Sequence, residues 1–233
     1  AHNFNLEKIF IPGVSWTKLS SGTFGARIQP KGFLFHDASA NAFPHEEKYI
    51  YPMLAFLCSK LPVTLLQALN PTLNFLPGNI SSLPLNEAVL LDSELSNNAK
   101  KLVKYCKDDW DSYELSWDFK SNPIVLLHDS RISLAYDQFV ERSKSIVADM
   151  RTLEKKNNQI LISIFGLEED LDCEIDLSEI TVDCNPKYRY PKDYKDNQLD
   201  RCLRGDTVIE FISYSVGCMF GRYSLDMEGL VVA

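Results

Sequence analysis

His128, Asp129 and Ser130 are the residue types of a nucleophilic triad, and they stand side by side in the sequence. A triad needs three side chains that converge on one hydrogen-bonded line, whereas adjacent residues point in different directions. The trio is therefore interpreted as a loop that caps the start of a helix. The sequence has no G-x-S-x-G motif and its 4 histidines form no H-x-x-x-H pair, so it predicts neither a hydrolase nor a zinc site.

Nucleotide-binding and calcium-binding motifs are also missing. The segment GTFGAR, residues 22–27, has only two glycines and lies in a strand-rich stretch, so it fails the dinucleotide fingerprint. The acidic run 168–183 lacks the residue order of a calcium loop and is interpreted as a solvated acidic face. A metal-dependent nuclease that uses acids around Asp176 and Asp183 with Lys187 is left open as an alternative.

Asn70-Pro71-Thr72-Leu73 comes close to the N-P-P-Y signature with which adenine-N6 methyltransferases hold a flipped base. That chemistry needs an aromatic ring at the fourth position to stack on the extruded adenine, and Leu73 has none. A glycine-bearing strand end that would cradle S-adenosylmethionine is missing too. The sequence therefore predicts no catalytic, cofactor-binding or metal-binding residue in this chain, and no methyl transfer by the chain alone.

Length and composition indicate one large or two small globular domains. The chain has 233 residues, of which 45% are hydrophobic, and no apolar stretch approaches the roughly 20 residues of a membrane span. The first ten residues show no signal peptide, and the 6 cysteines form no C-x-x-C pair. We therefore expect reduced thiols, a cytoplasmic location and no membrane partner.

Charge is distributed unevenly along the chain, whose net charge is -8. Residues 1–85 carry six Lys or Arg against four acids, whereas residues 86–233 carry 18 against 28. Phosphates would repel the acidic part. Any nucleic-acid partner is therefore expected to meet the first third of the chain.

Short apolar runs broken by turn residues predict strands in residues 1–85, among them Trp16–Leu19 and Gly32–Phe35. Helical turns are predicted around Met53–Cys58, and a second helix over Pro62–Leu69. Residues 71–85 are predicted to be extended or irregular. This region is the first of three parts, and its strands and helices mix in one domain.

Residues 86–166 are predicted to be a helical spacer. From Ile132, apolar residues recur at alternating steps of four and three, which predicts a helix over 132–166 on the order of 50 Å long. Ser143 and Asn157 interrupt its apolar seam and are interpreted as residues that set the packing register. Whether the seam pairs within the chain or between chains is left open.

Residues 167–233 are predicted to form a small acidic α/β region, with a short strand at Glu179–Val182 and a helix from about Asp206 to Met219. The aromatic residues of DDWDSYELSWDF, in the spacer, are predicted to be core. The loop from Tyr188 to Asn197 receives no role. The fold class is therefore α+β, with a mixed strand and helix domain, a long-helix spacer and a small α/β C-terminal part.

Several stretches, read together, resemble a known family. Two of them resemble the target-recognition domain that adenine-specific methyltransferases share with type I restriction specificity subunits. These two stretches are VSWTKLSSGTFGARIQPKGFLFHDASANAFP and YPMLAFLCSKLPVTLLQALNPTLNFLPGNISSLPL. Three further stretches resemble the PglX family, the adenine-specific DNA methyltransferases of bacteriophage-exclusion (BREX) defence systems. These stretches are DDWDSYELSWDF, LEKKNNQILISIFGLEEDL and FISYSVGCMFGRYSLDMEGLVVA.

The resemblance covers nearly the whole chain, and it implies a central fragment of a much longer protein. The N-P-P-Y catalytic domain and its S-adenosylmethionine would lie upstream in the same polypeptide. This chain would supply sequence recognition of double-stranded DNA, and the spacer would set the distance to the catalytic domain. The same resemblance implies a role in restriction-modification-like phage defence and contacts with other defence subunits. It also implies that this fragment alone is inactive.

The resemblance also implies a DNA-contact surface, and the residues of 18–31 supply suitable groups. Hydroxyls and lysines suit phosphates, glycines allow close backbone approach, Arg27 suits guanine and Gln29 suits adenine. Strand alternation would place Arg27, Gln29 and Lys31 on one face. The assigned DNA-binding residues are Lys18, Ser20, Ser21, Thr23, Arg27, Gln29 and Lys31, with Asn70, Thr72 and Asn74 as a second group.

Two readings without this surface stay open. Residues 18–31 can form a polar, turn-rich sheet edge that binds nothing. The chain can also be a protein-interaction module, in which the heptad helix and the SWDF segment dock on another defence subunit without DNA contact.

Overall fold

The computed structural model describes residues 5–20, 22–70, 72–127, 129 and 131–231. The chain forms two compact units, each built from two stretches of sequence: Ala1–Val103 with Leu153–Glu174, and Lys104–Thr152 with Ile175–Ala233. Both units contain helices, and one small antiparallel sheet lies in the first unit, so the α+β class is confirmed. The unit boundaries do not coincide with the predicted ones at 85 and 166, and the three-part functional division stays a prediction.

The sheet of the first unit has three strands in the order β2-β1-β3: β1 (Gly13–Thr17), β2 (Ala26–Gln29) and β3 (Ser39–Ala42). Both pairings are antiparallel, and Ser15 of β1 stands opposite Arg27 on one side and Asn41 on the other. Residues directly opposite one another share a face of the sheet. The register therefore fixes which side chains line each face.

One face of the sheet is wholly apolar and covers the core of the first unit. It consists of Val14, Trp16, Ala26, Ile28, Ala40 and Ala42. The Trp16 indole Nε1 donates to the carbonyl of Phe75 at 2.8 Å, so its one polar atom is satisfied inside the core. This face gives the sheet its hydrophobic attachment and leaves the opposite face available.

Short helices complete that core: α1 (Ile50–Leu57), α2 (Lys60–Leu69), α3 (Pro77–Ser81) and α4 (Glu87–Leu91). The two helices predicted around Met53–Cys58 and Pro62–Leu69 are confirmed as α1 and α2. The sequence places Pro52 and Pro62 within the first turns of these helices, where a missing N–H costs no hydrogen bond.

Two long helices contribute residues to both units: α5 (Ser93–Trp110) and α7 (Ile132–Phe165). The long helix predicted from the heptad spacing is thus confirmed to within one residue. Gly166 follows it at φ 64, and the Leu167 N–H bonds the Ile162 carbonyl at 3.0 Å, which is a glycine C-cap. The Asp92 carboxylate accepts from the Leu95 N–H at 2.8 Å and caps the start of α5.

Inside the first unit, α5 and α7 are joined through a buried amide pair. The Asn98 side chain donates to Asn157 Oδ1 at 3.0 Å, and Lys156 pairs with Glu94 at the same level. Asn157 therefore meets a partner within this chain. A polar residue that bonds a single partner across an apolar seam is typical of register selection.

The second unit contains α6 (Pro123–Leu126), α8 (Pro186–Arg189), α9 (Asp196–Met219) and parts of α5 and α7. An aromatic cluster of Phe119, Tyr214 and Tyr223 is buried, with Tyr214 and Tyr223 stacked at 5.1 Å. Gly217 makes room for Tyr223, because a Cβ there would lie 2.6 Å from the tyrosine ring. This contact fixes the chain after α9.

Buried polar side chains order the loops between α7 and α9. The Asp109 carboxylate accepts from the backbone N–H groups of Asp183 at 2.6 Å and Cys184 at 3.0 Å. The Asn185 amide donates to the carbonyls of Leu177 at 2.7 Å and Ile180 at 2.8 Å. Backbone groups of this segment are thereby satisfied by side chains instead of by a strand partner.

Four sequence predictions are wrong at the level of elements. Residues 71–85 were predicted to be extended or irregular, but they contain the helix α3. The segment Glu179–Val182 is no strand: Leu177–Glu179 form a 3₁₀ turn, and Ile180 is buried beside the Asn185 amide. Gly32–Phe35 also forms no strand. α9 begins ten residues earlier than predicted, because Leu199 and Leu203 bury one side of its charged first turns.

The aromatic segment after α5 is core only in part. Phe119 is buried, but Trp117 is 97% exposed and Trp110 is exposed as well. The prediction that these tryptophans are core is therefore wrong.

Among the described residues, no single helix has both the length and the apolar composition needed to cross a bilayer. Glu47–Leu57 and Lys60–Leu69 meet the criterion only as a pair bent by 67°.

Candidate nucleic-acid interface

The second face of the three-stranded sheet is lined by polar side chains on all three strands. Its members are Ser15, Thr17, Arg27, Gln29, Ser39 and Asn41. The two faces of the sheet therefore differ completely, since the opposite face has only apolar side chains. We call these six residues the polar sheet face.

Arg27 lies across this face and bridges both outer strands. Its guanidinium donates to Thr17 Oγ1 at 3.2 Å and to Ser39 Oγ at 3.3 Å, and Ser39 Oγ also bonds Ser15 Oγ at 2.6 Å. Arg27 is exposed and has further N–H donors beyond these two bonds. The hydroxyls therefore hold an arginine in place while leaving it donors for a ligand.

Two amide side chains of the polar sheet face have unsatisfied atoms. Gln29 is 7% exposed and its Nε2 has no hydrogen-bond partner, and Oδ1 of the half-buried Asn41 is likewise unpaired. A buried polar atom without a partner costs about 1–3 kcal/mol. Both atoms are closed to solvent, so a ligand with complementary edges would satisfy them only after these side chains turn outward.

The structure brings the two predicted groups of residues together. Leu19 and Asn74 form an antiparallel bridge, the Ser20 N–H bonds the Leu73 carbonyl at 3.0 Å and the Phe75 N–H bonds the Lys18 carbonyl. Residues 18–20 and 73–75 therefore run side by side. This neighbourhood joins positions more than 50 residues apart in sequence.

Several side chains of the second group are engaged within their own loop. The Asn70 amide donates to the Asn74 carbonyl and accepts from the Thr72 hydroxyl at 2.7 Å, and it also contacts Asn79 Oδ1 at 3.3 Å. This segment is a loop with one bridging residue, so Asn70, Thr72 and Asn74 do not alternate as residues of a strand would. Its asparagines stabilise that loop.

Lys18 is held by an ion pair. Its ammonium lies 2.5 Å from the Asp37 carboxylate, and hydrogen bonding to Lys18 lowers the pKa of Asp37. Asp37 is almost fully exposed. A phosphate would have to compete with this carboxylate for Lys18.

The remaining predicted residues lie at the ends of β2. Thr23 and Gly25 are exposed before the strand, and a Cβ on Gly25 would meet no atom within 4 Å. Lys31 is exposed in the turn after the strand, so it follows Arg27 and Gln29 in sequence but does not belong to β2. Ser20 Oγ accepts from the Gly22 N–H at 3.2 Å, and Ser21 lies outside the described residues.

Four residues of the polar sheet face were not predicted: Ser15, Thr17, Ser39 and Asn41. The only signal for them is alternation, since Ser39-Ala40-Asn41-Ala42 reads polar, apolar, polar, apolar. The strand is only four residues long, so the pattern is too short to stand out. The register of β1 against β3 identifies them.

Of the three residues considered for a nucleophilic triad, only Asp129 lies among the described residues. Asp129 Oδ1 accepts from the Arg131 N–H at 3.0 Å just before α7, as expected of a cap, whereas His128 and Ser130 lie outside the described residues. Among the described residues, no group of three or more His, Cys, Asp or Glu side chains is placed to hold a metal ion.

Similarity to known proteins extends along the whole chain. No protein-family model matches it. It is 34% identical over 231 residues to the adenine-specific methyltransferase BrxX of Escherichia coli O9:H4 (strain HS), which covers 98% of this chain. It is 30% identical over 239 residues to the adenine-specific methyltransferase PglX of Lacticaseibacillus casei (strain Zhang), which covers 100% of it.

This chain corresponds to a segment of the BrxX/PglX methyltransferases. It spans about a fifth of the curated relatives that it matches, 19% of BrxX and 18% of PglX. The resemblance found in the sequence motifs is thereby confirmed. Most of the length of the BrxX/PglX proteins lies outside the region described above.

Proposed function

We propose that this chain is the DNA-recognition segment of an adenine-N6 DNA methyltransferase that serves BREX-type phage defence. In this proposal, the chain selects the DNA sequence, and the rest of the polypeptide binds S-adenosylmethionine and transfers the methyl group. The single observation that carries the proposal is the polar sheet face, on which Arg27 is held by the Thr17 and Ser39 hydroxyls.

The chemistry of this face suits base reading. Arginine is the commonest side chain that recognises guanine in the major groove, and amide side chains recognise adenine through one donor and one acceptor. Gln29 offers an unpaired donor and Asn41 an unpaired acceptor. DNA bases would therefore supply partners that the fold itself does not provide.

Phosphate contacts would come from the edges of the same region. Lys31 and Thr23 are exposed beside β2, and the surrounding residues 1–85 carry an excess of positive charge. Lys18 would contribute after exchanging Asp37 for a phosphate oxygen. Such contacts hold the duplex in register but carry no sequence information.

Fluorescence anisotropy with a 20-base-pair duplex and a salt series tests the proposal. Binding is expected to be weak and to fall steeply with salt, because counterions are released from the phosphates. Arg27→Ala with Lys31→Ala should weaken binding at low salt and reduce the salt slope by about 1 per phosphate contact removed. Lys101→Ala, an exposed lysine on α5, serves as the matched control.

Unchanged affinity of the Arg27 and Lys31 double variant at low salt would remove the proposed surface. The chain alone is expected to transfer no methyl group to the duplex from added S-adenosylmethionine. Methylation by the isolated chain would contradict the division of labour between recognition and catalysis.

A second candidate function, a protein-docking module without DNA contact, is favoured by exposed apolar side chains in the second unit. On α9, Ile209 is 65% exposed and Ile212 and Met219 are exposed as well, and Phe220, directly after the helix, is 85% exposed. Exposed apolar surfaces of this kind mark interaction sites. In this candidate the docking element is α9, whereas the sequence alone suggested the long helix α7 with the SWDF segment.

The salt series separates the two functions. A docking module should show no salt-dependent binding to any duplex. Ile209→Asp with Ile212→Asp should then abolish co-purification with the co-expressed remainder of the parent methyltransferase, whereas Arg27→Ala should not affect it.

A further inference from the structure

A cleft of about 650 Å³ opens in the second unit, and none of its lining residues is among those assigned to DNA recognition. Its walls come from α7, the 3₁₀ turn Leu177–Glu179, α8 and the loop that leads into α9. Eight residues line it: Arg151, Asp176, Leu177, Ser178, Lys187, Pro191, Lys192 and Leu199. Leu199 is buried, and the basic side chains stand at exposed positions around it.

Three cations converge on the cleft from separate parts of the sequence. Arg151 comes from α7, Lys187 from α8 and Lys192 from the loop before α9. The neighbouring segment 168–183 contains eight acids and no base, so the local background is strongly negative. The acidic composition of the neighbouring segment would lead one to expect a negatively charged cleft, so its three cationic side chains call for another explanation.

The cleft is held by side chains that are themselves fixed. The Arg151 Nε donates to the Ile175 carbonyl at 2.7 Å, which anchors the guanidinium at the rim. Asn185, 2% exposed, ties the 3₁₀ turn through two carbonyls and accepts from the Lys187 N–H at 3.1 Å. The Arg151 guanidinium and the backbone at Lys187 are therefore positioned before any ligand arrives.

The one acid of the lining, Asp176, offsets only part of this charge. Asp176 accepts from the Ser178 N–H at 2.8 Å, and this bonding together with the charges of Lys192 and Arg151 lowers its pKa. Lys187 pairs with Asp196 at 2.5 Å, an exposed carboxylate that an anion can displace. The lining itself carries three positive groups against one negative group.

We propose that this cleft binds a phosphate group, carried either by a mononucleotide or by a nucleic-acid backbone. Arginine and lysine bind phosphate oxygens through charge-assisted hydrogen bonds, and the volume is in the range of small-molecule sites. The proposal is independent of the polar sheet face, since none of its residues belongs to that surface.

Amide NMR of the full chain, titrated in parallel with ATP, inorganic phosphate and a 20-base-pair duplex, tests the cleft. Shifts are expected at Ser178, Lys187 and Lys192. Lys187→Gln with Lys192→Gln should weaken the interaction roughly threefold or more, because two charge-assisted contacts are lost. Lys144→Gln, an exposed lysine of α7 in the same unit, is the control that should leave the titration unchanged.

The two phosphate sources give different results. Saturation by ATP or phosphate, without tighter binding of the duplex, assigns the cleft to a small anion, whereas tighter and salt-sensitive binding of the duplex assigns it to a nucleic-acid backbone. Absent shifts at these amides, or shifts that persist undiminished in the double variant, would overturn the proposal. The Arg27→Ala variant should keep the cleft shifts, so a failure of DNA recognition remains separable.

Discussion

Asn98 and Asn157 place two amide groups inside an apolar seam, and each depends on the other. Both are nearly fully buried, and one hydrogen bond of 3.0 Å joins them. Removal of one partner strands a polar group in the core, whereas removal of both leaves only apolar contacts. The pair therefore contributes more to choosing the register of α5 against α7 than to net stability.

Asn157→Leu alone is expected to lower the free energy of unfolding by about 1–3 kcal/mol, because Asn98 loses its partner. The double variant Asn98→Leu and Asn157→Leu should recover most of that loss. Urea denaturation of the four members of the double-mutant cycle measures the coupling. Additive single effects would show that the two amides do not act as a pair.

Asp109 makes the stability of the second unit depend on pH. Burial raises the pKa of this carboxyl above its ordinary value of 3.8, although two backbone N–H groups oppose the shift. As pH rises past 3.8, the unfolded chain loses its proton first while the folded chain still holds it. The contribution of Asp109 to stability therefore falls as pH rises from 3.8 to the folded pKa.

Asp109→Asn removes this titration. Both proteins are unfolded in urea at a series of pH values from 3 to 7, and the difference in unfolding free energy, wild type minus variant, is expected to decline with rising pH. A difference that rises with pH would mean that the backbone N–H groups outweigh burial and that the pKa is lowered.

At the scale of elements, the position of β1 depends on a glycine with no room for a side chain. A Cβ on Gly13 would lie 2.7 Å from the Ala42 carbonyl oxygen and 2.9 Å from the Phe43 ring. Gly13 also stands opposite Gln29, whose side chain is on the polar sheet face. Packing of Phe43 over Gly13 thus helps to fix the register that creates this face.

Gly13→Ala is expected to lower the free energy of unfolding by about 1–3 kcal/mol through overpacking. Gly25→Ala is the matched control, because its Cβ meets nothing within 4 Å, and its stability should change by no more than about 0.5 kcal/mol. Thermal and urea denaturation give both values. Equal losses in the two variants would point to glycine flexibility in place of the contact with Ala42 and Phe43.

The helix with the longest repeated pattern, α7, could be predicted from the sequence, whereas the irregular segment before α8 could not. The repeat that begins at Ile132 predicted α7 because an uninterrupted periodicity constrains every turn. The run Glu179–Val182 has the residue types of a strand but forms none. Instead, the nearby Asn185 amide donates to the backbone carbonyls of Leu177 and Ile180. Such a side-chain bond leaves no periodic signal.

The candidate site shows the same division. Alternation correctly predicted that Arg27 and Gln29 share a face, since the spacing of two within one strand is local information. Thr17, Ser39 and Asn41 joined them only through the pairing of β1 with β3. Pairing register between strands depends on tertiary packing, so the complete polar sheet face required the structure.

At the scale of the whole molecule, the first unit is not continuous in sequence. Its hydrophobic core contains Leu95 and Ala99 from α5 and Leu161 from α7, all buried together with Trp16 of the sheet. A boundary at residue 85 would therefore cut away part of the core. The polar sheet face and the parts of α5 and α7 in this unit therefore share one core and are expected to fold together.

A fragment of residues 1–85 is consequently expected to lack a cooperative urea transition, because it exposes the side of the core that Leu95, Ala99 and Leu161 cover. A fragment of residues 1–174 contains both stretches of the unit and is expected to unfold cooperatively. Circular dichroism during urea titration distinguishes them. If 1–85 folded cooperatively and 1–174 gained nothing over it, the sequence-based boundary would be the physical one. The non-contiguous core would then be a contact between independent domains, and DNA binding could be assigned to 1–85 alone.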